Sequence, residues 1–256
     1  MSTGPVAVYC ASSNGTKVAY EKAAISIGKS IAKRGLVYGG GSSGLMGVVS
    51  GAVLEAGGHV TGVVPAAMLA GRRGQPGGEG SKVEVETGLQ TKEGLGVVKK
   101  HGEPVILLEK GREAVETLVV NSMHERKVKM AERATGGFVG LPGGFGTFEE
   151  VMEVATWSQL AIHNKPVLLV NVLGYWDPMR EMIKRGIAEG FINPKNEGLI
   201  IFVDGPSDKS AHVDYDWGAD VLRVLDEWKP NGWTGFGFDW SRTADGHKST
   251  GGLEAV

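Results

Sequence analysis

A single cysteine, Cys10, is all that the chain carries. It cannot close an internal disulfide, and secreted chains of this kind more often hold an even set, so a reducing, cytoplasmic setting is expected. Net charge is nearly absent: Lys plus Arg number 27 against 29 for Asp plus Glu, a formal −2. That leaves no bulk attraction to nucleic acid or to an anionic membrane, and any bound anion must be held by a local site. No apolar run approaches the roughly 20 residues of a membrane span, and the start "MSTGPVAVYCASS" has no basic segment leading into an apolar one. His and Cys do not recur at metal-ligand spacing, so no metal is expected.

Glycine, by contrast, is abundant. There are 41, about twice the usual share of roughly 7%, and they cluster in "YGGGSSGLMG", "GRRGQPGGEG", "PGGFG" and the last stretch of the chain. Around them, short apolar β-rich runs alternate with longer segments of helical period, the pattern of an α/β doubly wound parallel sheet. The strand candidates are Val6–Cys10, Leu36–Gly39, His59–Val64, Gly137–Leu141, Val167–Val172 and Leu199–Val203. Nearly all are apolar throughout, as strands covered on both faces should be. Helices are expected over Val18–Arg34, Leu45–Ala56, Ala114–Arg133, Phe148–Ile162, Trp176–Glu189 and Gly218–Trp228. The reading is one domain over residues 1–228, with an insertion at about 70–112 and a Gly/aromatic tail at 229–256.

Two glycine-rich turns stand between a strand and a helix. In "GGGSSGLMG", Gly39, Gly41 and Gly44 lead into a helix whose positive N-terminal end suits an anion. Its place after the second strand, and the lack of an acidic ribose ligand after a third, argue against an ordinary NAD site. In "PGGFGT", Gly143, Gly144 and Gly146 permit close backbone approach, and Thr147 offers a hydroxyl to phosphate oxygens. Without the lysine of a P-loop, a single terminal phosphate fits better than a triphosphate with Mg²⁺.

Glu150 has two readings that sequence leaves open. Thr147 and Glu150 are spaced as a capping box. A carboxylate one turn inside a phosphate-binding helix is also well placed beside the sugar of a nucleotide. In "SMHERKVKMAERA", Arg126, Lys127, Lys129 and Arg133 form either a solvated basic face or part of a site. Met123 and Lys127 lie one turn apart there, as do Arg126 and Met130.

Together, "YGGGSSGLMG", "MHERK" and "LPGGFGTFEE" resemble, in order, the GGGxxGLMG, MHxRK and PGGxGTxxE elements of the LONELY GUY family, the cytokinin riboside 5'-monophosphate phosphoribohydrolases. "VAVYCASSNG", which contains Ser12, is similar to that family's first strand and loop. The resemblance covers about residues 6–69 and 114–201. It implies a Rossmann-like fold, usually a homodimer with sites near the subunit interface. It also implies hydrolysis of an adenine nucleoside 5'-monophosphate to base and ribose 5-phosphate, without cofactor or metal. By motif position, Arg126 and Glu150 are then the catalytic pair, with Met123, Lys127, Gly143, Gly144, Gly146, Thr147, Gly41 and Ser12 as substrate-binding candidates. The insertion replaces a short Pro-Arg-Glu segment of many relatives and leaves Glu113 as the candidate for its glutamate. The other readings are a nucleotide-binding module without turnover, and lysine decarboxylation. The latter needs pyridoxal phosphate on a Schiff-base lysine, a role for which neither Lys127 nor Lys129 has recognisable surroundings.

Overall fold

The computed structural model describes residues 4–70, 104–106, 114–230, 235–242 and 252–255. The strands are β1 (Val6–Tyr9), β2 (Leu36–Tyr38), β3 (Val60–Pro65), β4 (Pro104–Ile106), β5 (Val115–Val120), β6 (Gly137–Gly140), β7 (Val167–Val170) and β8 (Ile201–Val203). They form one sheet in the order β4-β5-β3-β2-β1-β6-β7-β8. Every pairing is parallel except that of β4, which runs antiparallel to β5 at the edge.

The helices are α1 (Val18–Ile31), α2 (Gly44–Glu55), α3 (Ala66–Ala70), α4 (Met123–Arg133), α5 (Phe145–Gln159), α6 (Asp177–Ala188) and α7 (Trp217–Glu227). Two apolar cores explain the layering. Ala23, Ile27 and Ile31 of α1, Val49 and Val53 of α2, and Trp217 and Val221 of α7 pack on one face with Val6, Val8 and Leu168. Val128 and Met130 of α4 and Val151, Val154 and Trp157 of α5 pack on the other with Ala7, Tyr9 and Phe138. A strand whose alternate side chains enter two different cores must be apolar at every position, which is why β1, β6 and β7 read as unbroken apolar runs.

One sequence expectation is corrected. The segment from Ala114 is not helical: Val115–Val120 is a six-residue strand, paired along its whole length with β3. Its Val, Thr and Leu side chains are buried, and four β-branched residues in six favour a pleated surface over a helix. The helix begins only at Met123, where the Ser122 hydroxyl accepts from the Glu125 N–H at 3.0 Å. The Glu125 carboxylate in turn accepts from the Asn121 N–H at 2.8 Å, so the capping motif of this region belongs to α4.

In the strand order, the chain leaves β1 towards β2 on one side and returns as β6 on the other. Ligands of doubly wound sheets bind at this reversal, outside the carboxyl ends of the strands. Both glycine-rich turns lie there. Among the described residues no helix is long and apolar enough to cross a membrane.

Candidate active site

The turn after β6 resolves the two readings of Glu150. Helix α5 starts at Phe145, and its N-cap is Gly144, which has no side chain to offer. Thr147 is therefore the third residue of the helix and cannot cap it. It is buried, at 3% exposure, and its hydroxyl would lie 2.0 Å from a Cβ placed on Gly143. The Thr147 side chain thus packs against Gly143, and that contact is what requires glycine at 143. At Gly144 and Gly146 a Cβ would meet nothing within 4 Å. Internal packing does not demand glycine at those two positions, whose open side adjoins the unpaired N–H groups of the first turn.

Glu150, freed from capping, turns to α4. One carboxylate oxygen lies 3.3 Å from the Arg126 guanidinium, and both side chains are about nine-tenths buried. The Arg126 Nε–H donates to the Val63 carbonyl at the end of β3, 3.1 Å away. Nη1 lies 3.9 Å from the Met123 sulfur. A Cβ on Gly39, just beyond β2, would stand 2.0 Å from Nη2, so the guanidinium occupies space that only glycine leaves. Three elements from distant parts of the sequence therefore fix one arginine against one carboxylate.

Burial pushes the Glu150 carboxyl from its ordinary 4.5 to about 7. Arg126 opposes that rise, Glu149 and Glu153 add to it, and Lys127 lowers it slightly. Tyr9, in the floor at the end of β1, is held well above its usual range by burial and then by Glu150. The result is an acid poised near neutrality beside a permanent cation, an arrangement that concentrates at sites of chemistry.

The other candidates are distributed around this pair. Lys127 points along α5, where its ammonium lies 2.6 Å from Glu149 and 2.8 Å from Glu153. Lys129 pairs with Glu132 at 2.8 Å. Met123 is half exposed, its sulfur beside the Arg126 guanidinium. Gly41 lies against Met46, which a Cβ there would meet at 2.6 Å. Ser12 is exposed in the β1–α1 loop, whose backbone closes on Gly44. Glu113 lies outside the described residues. Sequence reasoning missed Gly39 as the seat of Arg126, and it missed Tyr175, whose hydroxyl donates to the Gly143 carbonyl. Neither carries a local signal, since each acts on a residue far away in the chain. Among the described residues no cluster of three or more His, Cys, Asp or Glu side chains is arranged to hold a metal.

Residues 46–213 match the sequence model of the family described as "Possible lysine decarboxylase". The chain is 42% identical over 198 residues to the cytokinin riboside 5'-monophosphate phosphoribohydrolase LOG of Oryza sativa subsp. japonica, covering 77% of this chain and 66% of that one. The chain belongs to the LONELY GUY family. LOG1 of Arabidopsis thaliana, a protein of the same name and activity, is 40% identical over 206 residues, 80% of this chain and 78% of its own. The molybdenum cofactor binding protein of Rippkaea orientalis shares the fold, with a TM-score of 0.51 at 13% identity over 87% of this chain and 95% of that one. In this LONELY GUY protein, the family's glycine-rich, arginine-bearing and glutamate-bearing segments converge from β2, α4 and α5, where Gly39, Arg126 and Glu150 meet.

Proposed function

We propose that the chain hydrolyses the N-glycosidic bond of a cytokinin riboside 5'-monophosphate, releasing the free base and ribose 5-phosphate. The observation that carries the reading is the buried Arg126–Glu150 pair beside the open N-terminal turn of α5. The turn takes the phosphate on backbone N–H groups at the positive end of the helix. The phosphate is remote from the bond broken, so its binding energy serves to hold C1' against Glu150.

As the C1'–N9 bond breaks, positive charge develops on the ribose, as in other glycoside hydrolyses. The Glu150 carboxylate faces that charge, orients the attacking water and takes its proton. The water oxygen bonds to C1', and the electron pair of the broken bond leaves on the base, which gains a proton. Arg126 positions the ribose and the 5'-phosphate. It also keeps enough of Glu150 ionised at neutral pH, since burial alone would hold the carboxyl higher still. Lys127 braces α4 to α5 through Glu149 and Glu153.

The protein acts as a homodimer in the cytoplasm in this reading. Supporting the pairing are large apolar side chains left at the surface on and after α5 and α6: Phe145 at 91% exposure, Phe191 at 88% and Met182 at 75%. The test is chromatographic detection of free base from isopentenyladenosine 5'-monophosphate, its unphosphorylated riboside and AMP, with Glu150→Gln alongside. Base released from a monophosphate and lost in the variant supports the reading. Tight AMP binding without any product would refute it in favour of a nucleotide-binding module.

A further inference from the structure

The loop between β7 and α6 is built to deliver one hydroxyl to the phosphate turn. Leu173 has φ of +56°, a left-handed conformation that a branched side chain rarely adopts. Several contacts hold it there. The Leu173 N–H donates to Nδ1 of the buried His212 at 2.9 Å. The Asn171 side chain accepts from the Trp176 N–H at 2.7 Å, and its amide donates to Asp177 at 2.7 Å and Asp204 at 2.8 Å. Between these anchors stands Tyr175, its ring edged by Tyr20 of α1 and by Trp176. Its hydroxyl donates to the carbonyl of Gly143.

That carbonyl belongs to the peptide joining Gly143 to Gly144. The peptide is planar and trans, so its C=O and the following N–H point in opposite directions. Fixing the Gly143 oxygen therefore fixes the direction of the Gly144 N–H, the donor at the N-cap of α5. On the other side of Gly143, the Pro142 carbonyl accepts from the Ala11 N–H at 3.2 Å. Without Tyr175, two successive glycines leave the 143–144 peptide free to rotate.

We propose that Tyr175 is a positioning residue: by holding the Gly143 carbonyl it aims the Gly144 N–H at the substrate's 5'-phosphate. The proposal rests on the phosphate-cradle reading above and adds to it a residue that touches neither phosphate nor sugar. Tyr175→Phe removes one oxygen and leaves the ring packing in place. The measurements are KM for the nucleoside 5'-monophosphate and the inhibition constants of ribose 5-phosphate, the phosphorylated product, and of adenine, the core of the base product, for wild type and variant.

Loss of one aligned hydrogen bond should raise KM and the ribose 5-phosphate constant by roughly five- to tenfold. The adenine constant should not change, because adenine has no phosphate to present. Equal weakening of both would show a general structural role, and no change in either would show that the contact is idle; each overturns the proposal. A failure of the hydrolase reading looks different, since wild type would then release no base. Calorimetric titration of AMP into both proteins would decide in that event. A five- to tenfold weaker affinity in the variant would support Tyr175, whereas equal affinities, or no AMP binding by wild type, would overturn it.

Discussion

Glu150→Gln should make the protein more stable and nearly inactive, and the gain in stability should depend on pH in a stated direction. The carboxyl is raised by burial from 4.5 to about 7 in the folded chain. In the unfolded chain it titrates near the ordinary value. Below about pH 4.5 the group is neutral in both states and costs nothing. Between 4.5 and 7 the unfolded chain releases its proton while the folded chain keeps it, so a penalty on folding grows. Above about 7 it is complete, and the rise corresponds to about 3 kcal/mol.

Glutamine is neutral throughout, keeps the shape and still offers Arg126 an acceptor. Urea unfolding of both proteins should therefore give similar stabilities at pH 5 and a variant favoured by about 3 kcal/mol at pH 8.5. For a chain of this length that is a gain of roughly 6–12 °C in Tm. The same substitution should lower the rate of base release about 10²–10⁴-fold, the range for loss of an acid–base group. A stability difference that is flat between pH 5 and 8.5, or one that favours wild type as pH rises, would refute the account of Glu150 as a destabilising carboxylate held for its chemistry.

Other outcomes follow from the same geometry. The pH–rate profile of wild type should rise through about pH 7 as Glu150 ionises; a profile flat from pH 6 to 8 would remove Glu150 from the rate. Lys127→Met leaves Glu149 and Glu153 without their cation and takes away a charge that lowers Glu150, so the rising limb should move to higher pH, which the same profile measures. Gly39→Ala puts a methyl where the guanidinium lies and should cost about 10²-fold or more in kcat/KM, since misplacements near 1 Å carry that cost. Gly144→Ala should fold with wild-type Tm, because its Cβ meets nothing, yet raise KM for the monophosphate; an unchanged KM would mean that no ligand approaches there.

Much of this was legible from sequence because local signals were strong. The six expected strands exist, each ending within about two residues of its expected bounds, since unbroken apolar runs between turn residues admit few alternatives. Arg126 and Glu150 were legible as a catalytic pair from the family motifs, although the ion pair between their side chains was not, because nothing local links positions 24 residues apart on two helices. Residues 115–120 were misread since "AVETLVV" carries apolar residues at both periods, and only its pairing with β3 selects the strand. The capping motif was sought at Thr147–Glu150, while the same Ser/Thr-x-x-Glu spacing operates at Ser122–Glu125. What separates them is where the helix begins. A glycine N-cap at 144 shifts the start of α5 forward and leaves Thr147 inside.

That glycine cap has a thermodynamic meaning of its own. Helix α5 begins with no side chain to receive its first N–H groups, and on the reading above the substrate's phosphate is the group that receives them. The nucleotide is then a folding partner as well as a substrate, adding stability by mass action, about 2.7 kcal/mol at a hundred times its dissociation constant. Such a protein is most robust while it has work to do. When its nucleotide runs out that contribution is lost, so on the same reading resistance to unfolding would track supply without any separate regulator.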